Sequence, residues 1–428
     1  MKRAWFLGLS LALGACSDDN SVSPKTTVDA GTTMDAGSDA TTDGGCPGNG
    51  VSKRPWALHV DGTSALLRWE ACRPGAASSV TLTPESSGST LEFESTETEF
   101  VVNNTYRSLL NPDAPPDEAG TYYMHEAQLT GLAPSTCYHY EVATAPEHDG
   151  RLCTARAPGE TFSFLATADT NPGLSTTVAD LFGVIQGEDY DFTVHGGDIQ
   201  YYASGLETWA YWFPAMAPML RHGAFLPSIG NHENEKPDEY QQYFARFFGN
   251  AGFDGTDGYY RFSSGGVWFF TLDTETSLDA SSPQVGWFKQ QIADAAASPG
   301  YRFSIVYFHK PFLTCGDTGD NVAARNVFEP LFEQYGVSLI LQGHMHGYER
   351  FEVPSSEPGK TLTYLTIAGG GGLLGDVDKN IDRPECAMRV ASGKFYHFAL
   401  FDVTKTGISA RIVDRDGKLQ DQFEKALP

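Results

Sequence analysis

Apolar and polar positions follow two different rhythms before and after residue 160. Over residues 51–160, short alternating runs such as "SALLRWEA", "SVTLT" and "TLEFES" are separated by Thr, Ser, Gly and Pro. No stretch long enough to form a helix has apolar residues at a helical period. Alternation of this kind is typical of strands that bury one face. We therefore predict an all-β sandwich over residues 51–160.

From residue 161 onward, longer apolar runs alternate with helix-like stretches. Runs such as "TFSFLATAD", "YRFSIVYFHK" and "VSLILQGHMH" indicate buried strands, whereas "GLSTTVADLFGVIQ", "SPQVGWFKQQIADAAAS" and "VAARNVFEPLFEQYG" indicate helices. Near the end, "FYHFALFDV", "GISARIVD" and "QDQFEK" indicate antiparallel edge strands. Strands that alternate with helices predict an α/β layered domain over residues 161–428.

The first fifteen residues have the pattern of an export signal. Lys2 and Arg3 precede a largely apolar run of twelve residues, whereas a membrane-spanning helix needs ~20. The run ends in "LGAC", which resembles a bacterial lipoprotein signal and implies cleavage before Cys16 and a lipid on its sulfur. An ordinary secretory signal cut nearby is the alternative. We therefore expect an exported lipoprotein of the cell envelope, on the periplasmic or surface side of a membrane.

A polar, acidic linker is predicted over residues 16–50. Residues 17–45 hold six Asp and one Lys, too few apolar groups to fold, so we expect a solvated tether rather than a calcium-binding repeat. Removing residues 1–15 takes away two of the 29 basic residues, which leaves 27 against 54 acidic ones, a net charge of −27. So acidic a chain is not expected to bind nucleic acid, and bound cations would be needed to attract an anionic substrate.

Six cysteines remain if Cys16 carries a lipid. An even number in an exported chain predicts disulfides, and the lack of any CxxC spacing argues against a zinc ribbon. We favour the pair Cys315–Cys386 because both lie in the C-terminal domain. The pairing of the other four stays open: Cys46, Cys72, Cys137 and Cys153.

Two histidines follow one of the predicted strands in "QGHMHGYER". His344 and His346 are two residues apart, so in extended chain their side chains point the same way. Imidazole is the commonest metal ligand among side chains. The pair therefore predicts a metal site, with exposed loop histidines as the alternative.

Further polar side chains stand where other predicted strands end. Ligands of open α/β sheets bind outside the carboxyl ends of the strands. Five exits with oxygen and imidazole donors therefore predict one shared metal site. The residues are Asp169, then Asp198 and Tyr201, then Asn231, His232 and Glu233, then His309, and finally His344 and His346.

This ordered set of motifs resembles the calcineurin-like metallophosphoesterases. The order is Asp, "GGD", "GNHE", a lone His and "GHMH", and a tyrosine three residues after the second Asp resembles the purple acid phosphatases in particular. The β module in front is similar to a fibronectin type III domain. The resemblance implies Fe(III) on Asp169, Tyr201 and His346, a second divalent metal (Fe, Zn or Mn) on Asn231, His309 and His344, and Asp198 as the bridge. It also implies that His232 contacts the substrate and stabilises phosphoryl charge or protonates the leaving alkoxide, with support of its loop as the alternative.

One position departs from the family pattern. The family's first motif is Asp-x-Gly, whereas here it is Asp169-Thr170-Asn171. Asn171 could replace Gly because Asn tolerates left-handed backbone. It could instead offer its amide oxygen to the first metal, which leaves the identity of that metal open.

The resemblance implies an enzyme that hydrolyses small phosphate monoesters by attack of a metal-bound hydroxide, as acid phosphatases do. A phosphodiesterase or nucleotidase would use the same residues. A non-catalytic surface binding protein is less favoured, since all seven ligand positions are filled. Lys310, Arg325 and Arg350 could touch phosphate, but surface or ion-pair roles are favoured. The oligomeric state, the substrate and the membrane leaflet stay open.

Overall fold

A computed structural model describes residue 46 and residues 48–75, 78–142, 145–174, 176–201, 207–234, 244–249 and 258–426. The predicted signal, Cys16 and the linker up to residue 45 lie outside the described residues. Within the described part of the chain, no helix is long and apolar enough to cross a membrane.

The segment before residue 160 consists of strands, as its alternating pattern predicts. Their bounds are β1 (Val51–Val60), β2 (Ser64–Ala71), β3 (Ser79–Pro84), β4 (Leu91–Glu94), β5 (Thr96–Val102), β6 (Gly120–Thr130), β7 (Cys137–Val142) and β8 (Ala145–Cys153).

The segment after residue 160 mixes strands and helices. The strands are β9 (Phe162–Thr167), β10 (Phe192–His195), β11 (Ala224–Pro227), β12 (Arg261–Ser264), β13 (Val267–Leu272), β14 (Phe303–Phe308), β15 (Val337–Gln342), β16 (Tyr348–Pro354), β17 (Thr361–Ile367), β18 (Arg389–Gly393), β19 (His397–Val403), β20 (Gly407–Asp414) and β21 (Leu419–Ala426). The α-helices are α1 (Thr177–Ile185), α2 (Trp209–Leu220), α3 (Pro283–Ala296) and α4 (Val322–Gln334), with 3₁₀ turns at His232–Asn234 and Pro384–Met388.

The strands form three sheets. A ten-stranded sheet has the order β21-β20-β19-β9-β10-β11-β1-β2-β6-β5, a seven-stranded sheet has the order β12-β13-β14-β15-β17-β16-β18, and β4-β3-β7-β8 form a smaller sheet. Strands β9, β10 and β11 are parallel to one another, as are β13, β14, β15 and β17. The C-terminal strands β19, β20 and β21 are antiparallel, as predicted, but only β21 is an edge strand, because β19 and β20 are each paired on both sides.

The two large sheets pack face to face with helices outside. Phe164 and Phe269 come from the two sheets and meet edge to face in the buried layer between them. Helices α1 and α2 cover the far side of the ten-stranded sheet, and α3 and α4 cover the far side of the seven-stranded one. The predicted layered α/β architecture is therefore confirmed.

One sheet crosses the predicted boundary at residue 160. Ala57 on β1 pairs in parallel with Ala224 on β11, so four strands of the N-terminal module extend the sheet of the following domain. The sequence pattern predicts two separate domains. It does not predict the pairing of β1 with β11, because these strands are far apart in the chain.

Helix α2 is not among the helices that the sequence pattern predicts. Pro214 and Pro218 lie inside it, and proline normally breaks a helix interior. The Thr208 hydroxyl caps its first turn by accepting a hydrogen bond from the Tyr211 amide at 3.1 Å. Trp209 and Trp212 are fully buried, and this burial outweighs the local preference against a helix.

Three disulfides join the six cysteines. Cys315–Cys386 is confirmed, and the open pairings resolve as Cys46–Cys72 and Cys137–Cys153.

Candidate metal centre

The predicted site residues lie at the carboxyl ends of five parallel strands. Asp169, Asp198 and Asn231 follow β9, β10 and β11 of the ten-stranded sheet, and His309 and His344 follow β14 and β15 of the seven-stranded sheet. Residues more than 170 positions apart in sequence thereby come into contact, as in the 3.0 Å hydrogen bond from the His344 amide to an Asp169 carboxylate oxygen.

Three of the predicted ligands have left-handed backbone. Asp169, Asp198 and His344 have φ of 60°, 49° and 69°. Such values cost free energy for residues other than glycine and persist where the surroundings enforce them. The chain therefore accepts local strain at these strand exits, as functional sites often do.

The first donor group gathers around His346. Its Nε2 lies 3.0 Å from Asp169 Oδ1 and 3.1 Å from the Tyr201 hydroxyl. Donor atoms of Asp169, Asp198 and His346 lie within 4.8 Å of one another. These are the residues expected to hold the first metal, together with the predicted bridge.

The second donor group gathers around His309. Its Nε2 lies 3.0 Å from Asn231 Oδ1, 3.1 Å from His344 Nδ1 and 3.2 Å from Asp198 Oδ2. Asp198 thus belongs to both groups, as a bridging ligand must. The structure brings all seven predicted metal ligands together.

Backbone carbonyls orient two of the imidazoles. His309 Nδ1 lies 3.0 Å from the Gly196 carbonyl, and His346 Nδ1 lies 2.7 Å from the Leu373 carbonyl. Each ring therefore donates its Nδ1–H to the backbone, and its Nε2 lone pair turns inward. This arrangement is usual for metal-ligating histidines.

Donor atoms then face one another, and in the part of the chain that the structure describes no Lys or Arg side chain forms an ion pair with Asp169 or Asp198. Around His309 Nε2 the near neighbours are an amide oxygen, a carboxylate oxygen and another ring nitrogen, which repel unless a proton or a cation lies among them. Burial alone would lower the pKa of His309 and of His346, but the Asp169 and Asp198 carboxylates raise them to about 10 and about 9. The donor set therefore fits metal cations, which would displace those protons.

Glu233 ties the loops together rather than joining the donor groups. Its buried carboxylate accepts hydrogen bonds from the amides of Asp198, Ile199 and Gly230 at 2.9, 2.8 and 2.7 Å. Burial first and the Asp198 charge second raise the pKa of Glu233 to about 8. The sequence grouped Glu233 with the candidate site residues, and these contacts give it a supporting role there.

His232 lies at the opening of the site. Its amide donates to Asp198 Oδ1 at 2.8 Å, and its ring lies 4.1 Å from the Tyr201 ring, centroid to centroid. The ring is partly exposed while Asp198 behind it is buried. The imidazole can therefore meet a substrate that enters, and its amide also supports the bridging carboxylate.

Asn171 does not have left-handed backbone, so the first of its two predicted roles is wrong. The described non-glycine residues with positive φ are Ser135, Asp169, Asp198 and His344. The Asn171 side-chain oxygen accepts a hydrogen bond from the Leu174 amide at 3.1 Å, which closes a turn. Among the described residues, the Asn171 side chain has no hydrogen bond to a donor residue, so its second role, a metal ligand, stays a prediction.

Sequence reasoning missed the pair Thr170 and His195. The Thr170 hydroxyl donates to the Ile199 carbonyl at 2.7 Å and lies 3.1 Å from His195 Nε2, so it links the loops that carry Asp169 and Asp198. The available signal was a histidine at the end of the otherwise apolar run "FTVH". Burial lowers its pKa to about 3, so it stays neutral.

The glycine-rich stretch "AGGGGLLG" lies close-packed beside the site. A Cβ on Gly372 would lie 2.6 Å from the His346 ring, and one on Gly370 would lie 2.5 Å from the Ala168 carbonyl. Only glycine allows the backbone to approach the donors this closely.

Comparisons with known proteins agree with this geometry. Residues 162–348 match the family model of calcineurin-like phosphoesterases, so the chain carries a phosphoesterase domain of that kind. Residues 56–166 match the model of the purple acid phosphatase N-terminal domain. The chain therefore joins a calcineurin-like phosphoesterase domain to the N-terminal domain of purple acid phosphatases, as the motifs indicated. The closer likeness of the module to fibronectin type III stays a prediction.

Named relatives match part of their own length. Purple acid phosphatase 15 of Arabidopsis thaliana is 26% identical over 295 residues, which cover 58% of this chain and 53% of the plant protein. An uncharacterised protein of Mycobacterium tuberculosis (strain ATCC 25618 / H37Rv) is 28% identical over 270 residues, 53% of this chain and 50% of that protein. The chain thus spans about half the length of these curated relatives.

Solved structures share the fold. A purple acid phosphatase from yellow lupin (Lupinus luteus) seeds superposes with a TM-score of 0.69 at 14% identity, over 87% of this chain and 74% of the lupin chain. The structure of PhoD superposes with a TM-score of 0.56 at 12% identity, over 88% of each chain.

Proposed function

We propose that this protein hydrolyses phosphate monoesters at a pair of metal ions, as an acid phosphatase of the purple type. The observation that carries the proposal is the sharing of Asp198 by two inward-facing donor groups, each with its own imidazole and oxygen donors. Two sites with a common ligand are what two-metal hydrolysis needs.

The donor types assign the ions. Asp169, Tyr201 and His346 would hold the first ion, and the carboxylate and phenolate among them suit Fe(III). Amide and imidazole donors suit a divalent iron, zinc or manganese in the second position. When bound, such a pair supplies Lewis acidity toward phosphoryl oxygens and an activated water. The ligands of the second ion would be Asn231, His309 and His344.

Several side chains of the chain itself serve the reaction. The side chains of Asp169, Asp198 and His309 are fully buried. The surrounding protein therefore fixes their positions and shields them from bulk water. His232 lies at the opening, where its imidazole can hydrogen-bond a phosphoryl oxygen or give a proton to the leaving alkoxide. Glu233 accepts hydrogen bonds from the Asp198 amide and from the Gly230 amide. It thereby ties the loop after β10 to the loop after β11.

Export of the protein to the cell envelope belongs to the same proposal. The three disulfides among the described residues favour an oxidising compartment. We expect the mature chain to be anchored by lipid on Cys16. Membrane fractionation of the wild type and of Cys16→Ser would test this, and equal release of both into the soluble fraction would contradict the anchor.

Metal analysis with a substrate panel tests the enzymatic proposal. The purified protein would be stripped with chelator, reloaded with iron and a divalent metal, and assayed on phosphate mono- and diesters from acidic to neutral pH. We expect about two metals per chain, activity that the chelator removes and metal restores, and faster turnover of monoesters. Preference for diesters would replace the monoesterase assignment, and no turnover of any ester by the reloaded protein would overturn the proposal.

A further inference from the structure

Helix α2 is attached to the N-terminal module at its first turn. The Asp117 carboxylate accepts hydrogen bonds from the Trp209 and Ala210 amides at 2.9 and 2.7 Å, and the Thr208 hydroxyl donates to the Pro115 carbonyl at 2.6 Å. The first amides of a helix lack partners inside it and lie at the positive end of its dipole, so a carboxylate there stabilises the helix. The N-terminal module thus supplies part of the cap that fixes the start of α2.

The same helix holds the loop that carries Asp198 and Tyr201. The Trp212 indole N–H donates to the Ile199 carbonyl at 2.7 Å, and the Thr170 hydroxyl donates to the same carbonyl at 2.7 Å. Trp212 and Ile199 are fully buried, so loss of either bond is not made good by bulk water. The Ile199 carbonyl therefore joins α2 to the loops after β9 and β10.

Further contacts attach α2 to the loop after β9, which carries Asp169. The Tyr211 hydroxyl donates to the Pro172 carbonyl at 3.2 Å. Glu207, two residues before the helix begins, accepts a hydrogen bond from the Gly173 amide at 3.0 Å. The helix and the residue just before it thus hold both loops that supply ligands from the ten-stranded sheet.

These bonds act beside the two strained ligands. Asp198 directly precedes Ile199 and has φ of 49°, and Asp169 directly precedes Thr170 and has φ of 60°. Left-handed backbone at such residues persists only where the surroundings hold it. A lost bond on the Ile199 carbonyl would therefore let the neighbouring ligands relax away from the donor groups.

We propose that α2 positions the metal ligands and that the N-terminal module, through Asp117, holds α2 in place. Asp117, Tyr211 and Trp212 are then positioning residues, which act through the backbone of the ligand loops. This inference rests on the proposed function and adds to it that the metal centre depends on the N-terminal module for its affinity, although the module contributes no predicted ligand.

Removal of one hydrogen-bond donor tests the contact between α2 and Ile199. Trp212→Phe keeps an aromatic ring but lacks the indole N–H. We expect the metal affinity of the full-length protein, measured by competition with a chelator, to fall about tenfold, as it does when a group that orients a metal ligand is lost. Trp209→Phe, at another buried tryptophan of α2, is the matched control and should keep the wild-type affinity.

The contribution of the N-terminal module is tested at Asp117. Asp117→Ala removes part of the cap of α2, so we expect the metal affinity to fall a few-fold. Asp117→Asn keeps an acceptor oxygen for the helix amides and should restore most of the affinity. Glu118→Ala is the matched control, because the Glu118 carboxylate accepts its hydrogen bond from Thr105 inside the module, at 2.9 Å.

A double variant tests whether both groups act through one helix. In that case, the affinity loss of Asp117→Ala/Trp212→Phe is smaller than the product of the two single losses. A loss equal to that product would overturn the role of α2 as the link. Tyr211→Phe removes only a hydroxyl and should weaken metal binding a few-fold, so it decides the test if Trp212→Phe does not fold. Thermal unfolding of the metal-free proteins checks the fold.

Two further outcomes would overturn the inference and leave the proposed function standing. Wild-type metal affinity in Asp117→Ala, Tyr211→Phe and Trp212→Phe would make these bonds structural contacts alone, even if Tm falls. Equal losses of affinity in the control variants would show that general destabilisation is the cause. If the reloaded wild type binds no metal at all, both the inference and the proposed function fail.

Discussion

Buried carboxylates in the N-terminal module and in the metal centre are neutralised in different ways. In the N-terminal module, the fully buried Glu70 contacts the Lys53 ammonium at 2.5 Å, the Arg246 guanidinium and the Ser52 hydroxyl. In the metal centre, the buried Asp169 and Asp198 contact imidazoles and backbone amides instead.

The difference separates a structural ion cluster from a metal site. Burial would raise the pKa of Glu70, but the charges of Lys53 and Arg246 hold it below its usual value, so the protein neutralises this carboxylate itself. The side chains beside Asp169 and Asp198 are imidazoles. They can neutralise the carboxylates only by taking up protons or by binding a metal cation together with them. A buried carboxylate whose neighbours are lone-pair donors therefore indicates a metal, whereas one beside Lys and Arg indicates structure.

Replacing the bridging carboxylate should have the largest effect. Asp198→Asn removes the charge that both donor groups share, so we expect loss of both metals. We expect activity to fall more than 100-fold, since even residues that merely orient a metal ligand are worth about 10–100-fold. Metal content per chain and kcat would be measured, with Asp294→Asn on the exposed face of α3 as the control. If Asp198→Asn retained two metals and near-normal turnover, Asp198 would not be the bridging ligand, and its contrast with Glu70 would not hold.

Tyr201→Phe should remove the colour expected of a ferric phenolate. Burial first and the Asp169 and Asp198 charges second raise the pKa of Tyr201 far above its usual value, so only a strongly acidic cation would make it a phenolate. We expect a visible absorption band in the oxidised, iron-loaded wild type, no such band in Tyr201→Phe, and a preserved fold. Tyr260→Phe, at another buried tyrosine, serves as the control and should keep the band. A colourless wild type would instead mean a pair of divalent ions.

Glu70→Gln should weaken the fold and spare the metal centre. The change leaves Lys53 and Arg246 without their buried counter-charge, which costs about 3–5 kcal/mol of unfolding free energy. Denaturant titration measures the loss, and Glu92→Gln on an exposed position of β4 is the control. Metal content should stay at the wild-type value. Loss of metal from a folded variant would show that the two clusters are not independent.

His397 is a buried base without a carboxylate partner among the described residues, so it extends the comparison to a group that burial keeps neutral. Burial lowers its pKa to about 4, against smaller opposing effects of the Phe395 and Thr366 carbonyls. Because the folded pKa lies below the unfolded value near 6.5, its contribution is fully present above pH 6.5 and is lost as the pH falls toward 4. The loss is about 2 kcal/mol at pH 5.

The variant His397→Asn should therefore show a smaller decrease of Tm between pH 7.5 and pH 5 than the wild type. His139→Asn is the matched control, since His139 is 46% exposed on the surface. A decrease of equal size in wild type and His397→Asn would show that His397 does not contribute to the acid sensitivity.

The metal centre could be predicted from the sequence more fully than its surroundings. The ligands lie a few residues beyond the ends of predicted strands, so "GGD", "GNHE" and "GHMH" indicate both residue type and position along the sheet edge. The role of Asn171 was not visible, because it depends on a turn closed by the Leu174 amide. Helix α2 was not predicted because burial of Trp209 and Trp212 outweighs two internal prolines. The Glu70 cluster joins residues 176 positions apart, a distance over which no local pattern carries information.

The parallel pairing of β1 with β11 has a consequence for how this chain can be divided. A cut at residue 160 would leave a phosphoesterase domain whose β11 edge has lost its partner strand. Unpaired edges recruit other chains, so the shortened protein should aggregate rather than work as a free-standing enzyme. Recombination between homologues would meet the same obstacle, since an exchanged module must match β11 in register. We therefore expect the two halves to fold as one unit, even though separate family models match them.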